Sequence, residues 1–237
     1  MAPWIFREPA SAWTHFAGLW LAFAGLWLLW RRSSGDPARR ASLMIYGLSL
    51  VGCYGASTLY HGVRLPASQI GPFLRLDTAG IFALIAGTYT PIAWTLLRGR
   101  WRTWTLGLVW GTAGLAIVLI ASGRPFSSSV GTSLYLGLGW GVVACYARIA
   151  RVVSHRSMLP LLVGGLFYSA GAVMNLLGRP ALWPGVFGTH ALFHLFVIAG
   201  SLAHYFFILR VVIPYRGEPP SGPTRARRAG AASPTGR

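Results

Sequence analysis

The amino-acid sequence predicts an all-α fold, an integral membrane bundle of seven transmembrane helices, on three observations. The chain has 237 residues, of which 54% are hydrophobic and only 11% charged, against roughly 25% charged in a soluble domain. Its charges leave seven uncharged stretches, 9–30, 41–63, 78–97, 103–123, 125–147, 157–178 and 180–209, of 22, 23, 20, 21, 23, 22 and 30 residues. A helix needs about 20 apolar residues to cross the hydrocarbon, and each stretch reaches that length. Trp and Tyr recur near the ends of the stretches (Trp30, Tyr60, Trp101, Trp104, Tyr146, Tyr205), where amphipathic rings meet the membrane–water interface.

The same composition excludes other classes. So few charges would not keep a soluble enzyme dispersed, and 14% aromatic residues argue against disorder. The two cysteines, Cys53 and Cys145, lie in apolar stretches and make no disulfide framework. The net charge of +17 comes entirely from arginine. Those arginines fill the gaps between apolar runs and do not line one face, so the partner they predict is a membrane and not nucleic acid.

Taken in order, the predicted helices run over about 12–30, 42–62, 76–97, 103–121, 129–147, 158–178 and 187–211, one transmembrane domain over 1–213. The first follows neither a basic n-region nor a small-residue cleavage site, so it is read as a retained helix and not a signal peptide. The second closes on Ser57-Thr58-Leu59-Tyr60-His61, and the third opens at Asp77. The fourth and fifth carry Gly107/Gly111 and Gly137/Gly141, spacings expected to let helices approach closely. The sixth contains Asn175, and the seventh opens on His190 and His194. Residues 214–237, rich in Pro, Arg and small side chains, are expected to be a disordered basic tail that associates with anionic headgroups.

Orientation follows from the arginines. Sixteen fall on the side that holds the C-terminus and five (Arg7, Arg64, Arg75, Arg124, Arg179) on the other. Positive residues stay cytoplasmic, which predicts an external N-terminus and a cytoplasmic C-terminus.

Candidate chemistry collects in one leaflet. Starts of odd helices and ends of even ones share a side, which groups His15, His61, Asp77, His190 and His194, and leaves His155 and His204 apart. An ionisable group at the edge of hydrocarbon is costly and marks a functional site by default. His190 and His194, four residues apart, point at one neighbour. Two such imidazoles can grip one metal, with His61 as the third ligand, and three histidines plus water form the open arrangement of catalytic Zn2+. Each histidine taken alone could instead bond a backbone carbonyl. Ser57 shares the face of His61 and could orient the water or substrate, or bond its own helix carbonyl. Asp77 is placed to take the water's proton and pass it to a leaving amine or alcohol. His15 is read as structural.

The segments Ser57–Gly62, Leu76-Asp77 with Gly80–Pro91, and His190–Phe196 through Gly200-Ser201 to His204-Tyr205 resemble the hemolysin III family, and Thr14-His15 preceded by Glu8 is similar to that family's opening segment. The likeness covers roughly residues 8–212. The family groups with progestin and adipoQ receptors and alkaline ceramidases, seven-helix proteins regarded as metal-dependent hydrolases. The resemblance implies Zn2+ held by His61, His190 and His194, with Asp77 and Ser57 beside it, in a protein of the bacterial plasma membrane. It departs at Thr78, where bacterial relatives often carry His. The receptor relatives run with the N-terminus inside; this chain's own arginine count is followed here. Three functions are expected in order: a membrane hydrolase of a lipid-like amide or ester, a receptor or sensor with structural zinc, and a haemolytic pore. The pore is weakest, because the spans offer almost no polar lining besides Asn175.

Overall fold

The computed structural model describes residues 6–33, 35–183 and 185–217. Seven segments are helical, long and apolar enough to cross a membrane. Their helices are α1 (Pro9–Arg32), α2 (Pro37–Gly62), α3 (Ala67–Leu96), α4 (Gly99–Ala121), α5 (Ser128–Trp140), α6 (His155–Leu177) and α7 (Thr189–Phe207), the fifth span running on to Ile149 and the seventh to Val212. A 3-10 turn over Gly141–Cys145 and a short helix over Tyr146–Ile149 carry α5 onward, and a π turn over Ile208–Val212 extends α7. No strand occurs among the described residues. The tail expected from 214 lies outside them from residue 218 onward.

Local chemistry sets the helix ends. Asp36 caps α2 by accepting from the Ala38 amide at 2.9 Å, with Pro37 in the first helical position. Ser127 and Ser154 do the same for α5 and α6. Gly178 closes α6 at φ +66°, a left-handed conformation that glycine adopts without penalty. The Arg39 guanidinium donates to the Val212 and Ile213 carbonyls, which satisfies the end of the last span.

Three features differ from the expectation. Helix α3 begins at Ala67 and not near 76, so Asp77 sits in its third turn and not at its entrance. Arg75 and Asp77 interrupt the uncharged run, but the helix continues through them. The fifth span is broken at Gly141 and not one α-helix over 129–147. The glycine spacings also act differently, since a Cβ on Gly107, Gly111 or Gly137 would meet nothing within 4 Å.

Helix α1 packs on α2 and α7, α2 on α3, α3 on α4, and α6 on α7, while α5 touches α6 and α3. Tyr46, Phe82 and Phe207 are fully buried in this packing. The α6–α7 seam is close at Gly164, where an added Cβ would lie 2.3 Å from the His204 ring and 3.0 Å from the Gly200 carbonyl oxygen. That ring is fixed by a bond from Nε2 to the Leu161 carbonyl at 3.1 Å. Gly164→Ala is therefore expected to destabilise the fold by about 1–3 kcal/mol. Thermal unfolding in detergent measures this, and an unchanged midpoint would show that the seam relaxes freely.

Helices α2, α3, α5, α6 and α7 surround a cavity of about 790 Å³, with Glu8 and His15 at its upper wall. It runs from Asp77, His61 and His190 at one end to Tyr146 and His155 at the other.

Candidate metal centre

Two helices bring three imidazoles to the end of this cavity. His61 closes α2, while His190 and His194 lie one turn apart at the start of α7. His190 Nε2 is 3.2 Å from His61 Nε2 and 3.1 Å from His194 Nε2. The three rings offer ligand atoms that all lie within 4.8 Å of one another, so they could hold a metal ion.

The opposite edge of each ring decides what these nitrogens can do. His61 Nδ1 lies 2.7 Å from the Glu8 carboxylate. His190 Nδ1 lies 3.0 Å from Asn175 Oδ1. His194 Nδ1 lies 3.1 Å from the Ser11 carbonyl and 3.2 Å from Thr14 Oγ1, whose own proton goes to the Ala10 and Ser11 carbonyls. Every one of these partners accepts a hydrogen bond. Each Nδ1 therefore carries the proton, and each Nε2 presents a bare lone pair. Three lone pairs facing one another at about 3 Å repel unless a cation lies among them. Zinc–nitrogen bonds of about 2.0–2.1 Å in tetrahedral geometry suit that spacing. The residues present thus fit a metal held through three Nε2 atoms.

Glu8 does more than orient a ring. The hydrogen bond from His61 holds its carboxyl below the ordinary value, against partial burial, and the charge of Arg7 adds to the lowering. Arg7 pairs with its other oxygen at 2.9 Å. Removing an outer partner of a metal-ligating histidine typically costs 10–100-fold in affinity. Glu8→Ala is expected to weaken metal retention by about 10–100-fold without abolishing it. Competition with a graded chelator reads the shift, and unchanged retention would show that His61 keeps its tautomer unaided.

Asp77 Oδ2 lies 3.9 Å from His61 Nε2, near the triad but outside its ring of nitrogens. Ser57 lines the cavity beside Asp77, is 1% exposed, and its Oγ makes no hydrogen bond to its own helix. The alternative in which it bonds its own helix is thus not the arrangement observed. His15 lies beside the triad, against His194. It is buried at 4% exposure and stacks on His194 with ring centroids 3.6 Å apart, and neither ring nitrogen has a partner. His204 bonds Leu161, and His155 sits by Tyr146 at the far end of the cavity, so neither joins the triad.

Sequence reasoning passed over Ser11, named Asn175 only as a polar residue of its span, and quoted Thr14 and Glu8 only as part of a likeness. Asn175 carried a usable signal, because an amide in an apolar span needs a partner. Ser11 acts through its backbone and left none.

Comparison with known proteins finds relatives over most of the chain. The family model described as haemolysin-III related matches residues 4–205. Hemolysin-3 of Bacillus cereus is 32% identical over 217 residues, which cover 90% of this chain and 95% of that protein. The Hemolysin-3 homolog of Bacillus subtilis (strain 168) is 29% identical over 86% of this chain and 94% of its own length. The adiponectin receptor protein of Drosophila melanogaster is 27% identical over 85% of this chain and 50% of that protein.

Proposed function

The chain belongs to the haemolysin-III related family, and we propose that it is a zinc-dependent membrane hydrolase that cleaves an amide or ester bond in a lipid-like substrate. The observation that carries this reading is the set of three Nε2 lone pairs, freed by acceptors at every Nδ1 and converging beside a carboxylate at the end of a long apolar cavity. A divalent ion in that ligand set supplies Lewis-acid activation of water.

The remaining steps fall to the chain's own residues. Asp77 accepts the proton of the attacking water and returns it to the leaving amine or alcohol. Ser57, whose hydroxyl lies beside Asp77 and is not bonded to its own helix, holds the water or the substrate carbonyl. The cavity is of the size that takes small ligands, and Ile85, Leu136, Met158 and Leu162 line it below the triad, so a hydrocarbon chain extends there while the scissile bond stays at the triad. A sensor with structural zinc would close the coordination with a fourth protein ligand. Here the group that could hold a metal comprises three histidines, which favours the open, hydrolytic site.

The test uses purified full-length protein in lipid nanodiscs with a panel of N-acyl and O-acyl lipids. Release of free fatty acid, detected by mass spectrometry, is expected for at least one class, to be lost with chelator and restored by Zn2+. Full zinc loading with no release from either bond type would discard hydrolysis and leave the sensor.

The arginine count further supports a cytoplasmic C-terminus, with the triad toward the outside. A reporter active only after export, fused after Gly236, is expected to be silent. An active reporter would invert the assignment.

A further inference from the structure

Below the metal centre, the helices that carry and brace it bring three hydroxyls into a chain. Tyr54 on α2 donates to Ser201 Oγ on α7 at 2.8 Å, and the Tyr168 hydroxyl on α6 lies 2.7 Å from the same oxygen. Each residue is seven positions from a member of the centre: Tyr54 from His61, Ser201 from His194, and Tyr168 from Asn175. At about 1.5 Å of rise per residue, each offset is two helical turns, or about 10 Å. All three lead the same way, down the cavity and away from the triad.

The protons of this chain do not balance. Three hydroxyls carry three protons but make two contacts, so one donor is in excess whichever way the bonds run. Tyr54 and Ser201 are buried in the packing, whereas Tyr168 is partly exposed and lines the cavity. Were Tyr168 to donate to Ser201, the serine proton would be left bare among packed side chains. With Ser201 donating to Tyr168, the surplus proton sits at the cavity wall, where an occupant can accept it. Three other hydroxyls of that wall are already spent: Thr88 donates to the Leu84 carbonyl, Tyr89 to that of Leu138, and Ser169 to that of Gly165. The Tyr168 ring is also fixed in place, since a Cβ on Gly200 would lie 2.9 Å from its Cε2. Within a membrane, a donor without an acceptor is costly.

We propose that Tyr168 determines specificity, its hydroxyl donating to an oxygen that the substrate's acyl chain carries near its middle. This rests on the reading of the triad as the place that holds the scissile bond. An extended chain advances about 1.2 Å per bond, a third of the roughly 3.6 Å spanned by three backbone bonds. An offset of about 10 Å is then about eight or nine bonds, which puts the oxygen near the ninth or tenth carbon of the acyl chain. A hydroxyl or keto group there supplies the missing acceptor. Further down, Met158, Leu159 and Leu162 continue the wall, so the rest of the chain is plain hydrocarbon. An unsubstituted acyl chain would cover the Tyr168 proton without pairing it, and binds at a disadvantage.

The experiment uses the purified full chain in nanodiscs with Zn2+ present, and measures equilibrium binding of three labelled acids, the product class of the proposed cleavage. They are octadecanoate, the same acid with a hydroxyl on its tenth carbon, and the same acid with a hydroxyl on its fifth. The tenth-carbon hydroxy acid is expected to bind about five- to tenfold more tightly than the other two, the range of one hydrogen bond. Tyr168→Phe keeps the ring against Gly200 and is expected to erase that difference with zinc content unchanged. Tyr89→Phe removes a hydroxyl already spent on a carbonyl and is expected to keep it. Equal binding of the three acids by the wild type, as when Tyr168 meets water only, would overturn the inference. So would a preference that survives Tyr168→Phe, or no binding of any of the acids. Release of free acid from the parent lipids is read separately. Preferred binding without release would strike the hydrolase and keep the Tyr168 contact, whereas release without preference would strike the contact alone.

Discussion

Replacing any one of His61, His190 or His194 with alanine is expected to strip the bound metal from the purified protein. Each of these rings spends its Nδ1 proton on a neighbour and brings one Nε2 to the common centre. Loss of one nitrogen leaves two protein ligands, too few to hold a divalent ion against water and buffer. The fall should exceed the roughly 100-fold upper range for disturbing an outer partner, so it should be distinct from the graded effect of Glu8→Ala. His155→Ala and His204→Ala should keep wild-type metal, since one ring lies at the far end of the cavity and the other is bonded to Leu161. His15→Ala also belongs among the retaining variants, because its ring stacks on His194 and shares none of the nitrogen contacts. Metal measured by mass spectrometry of the purified proteins decides among them. Equal metal in wild type and all three triad variants would remove the metal centre.

The triad was legible in the sequence because membrane spans reduce a three-dimensional problem to parity. Once seven uncharged runs fix the crossings, the end of α2 and the start of α7 must share a leaflet. A spacing of four residues then aims His190 and His194 the same way. The start of α3 was not legible for the opposite reason. Charge was used to mark helix ends, and Arg75 and Asp77 are charges inside a helix. The break in α5 was equally hidden, since glycines spaced four apart signal close packing and local loosening alike. The role of His15 depends on where α1 lies against α7, a contact between the first and last spans that no local pattern encodes. The same holds for Glu8, which reaches His61 from a position 53 residues earlier in the chain.

Asp77→Asn is expected to separate binding from turnover: near wild-type zinc content, with hydrolysis reduced by about 10²–10⁴-fold, the range for losing a positioned general base. The described residues contain three acidic side chains, and two are already committed. Glu8 is tied to His61 and Arg7, and Asp36 caps α2 at the opposite end of that helix. Asp77 presents the remaining carboxylate to the triad, 3.9 Å from His61 Nε2. Asparagine keeps the size and one carbonyl oxygen but lacks the basicity to take a proton from water. It can still orient a ligand, so a merely positioning role would survive the change, whereas proton transfer would not. Ser57→Ala provides the comparison, because loss of a hydroxyl that orients substrate should act mainly on KM and spare most of kcat. Retained zinc with unchanged turnover in Asp77→Asn would discard Asp77 as the base while leaving the metal centre intact. Loss of zinc would instead make the carboxylate a fourth ligand, closing the coordination and favouring a structural ion in a sensor over a hydrolytic site.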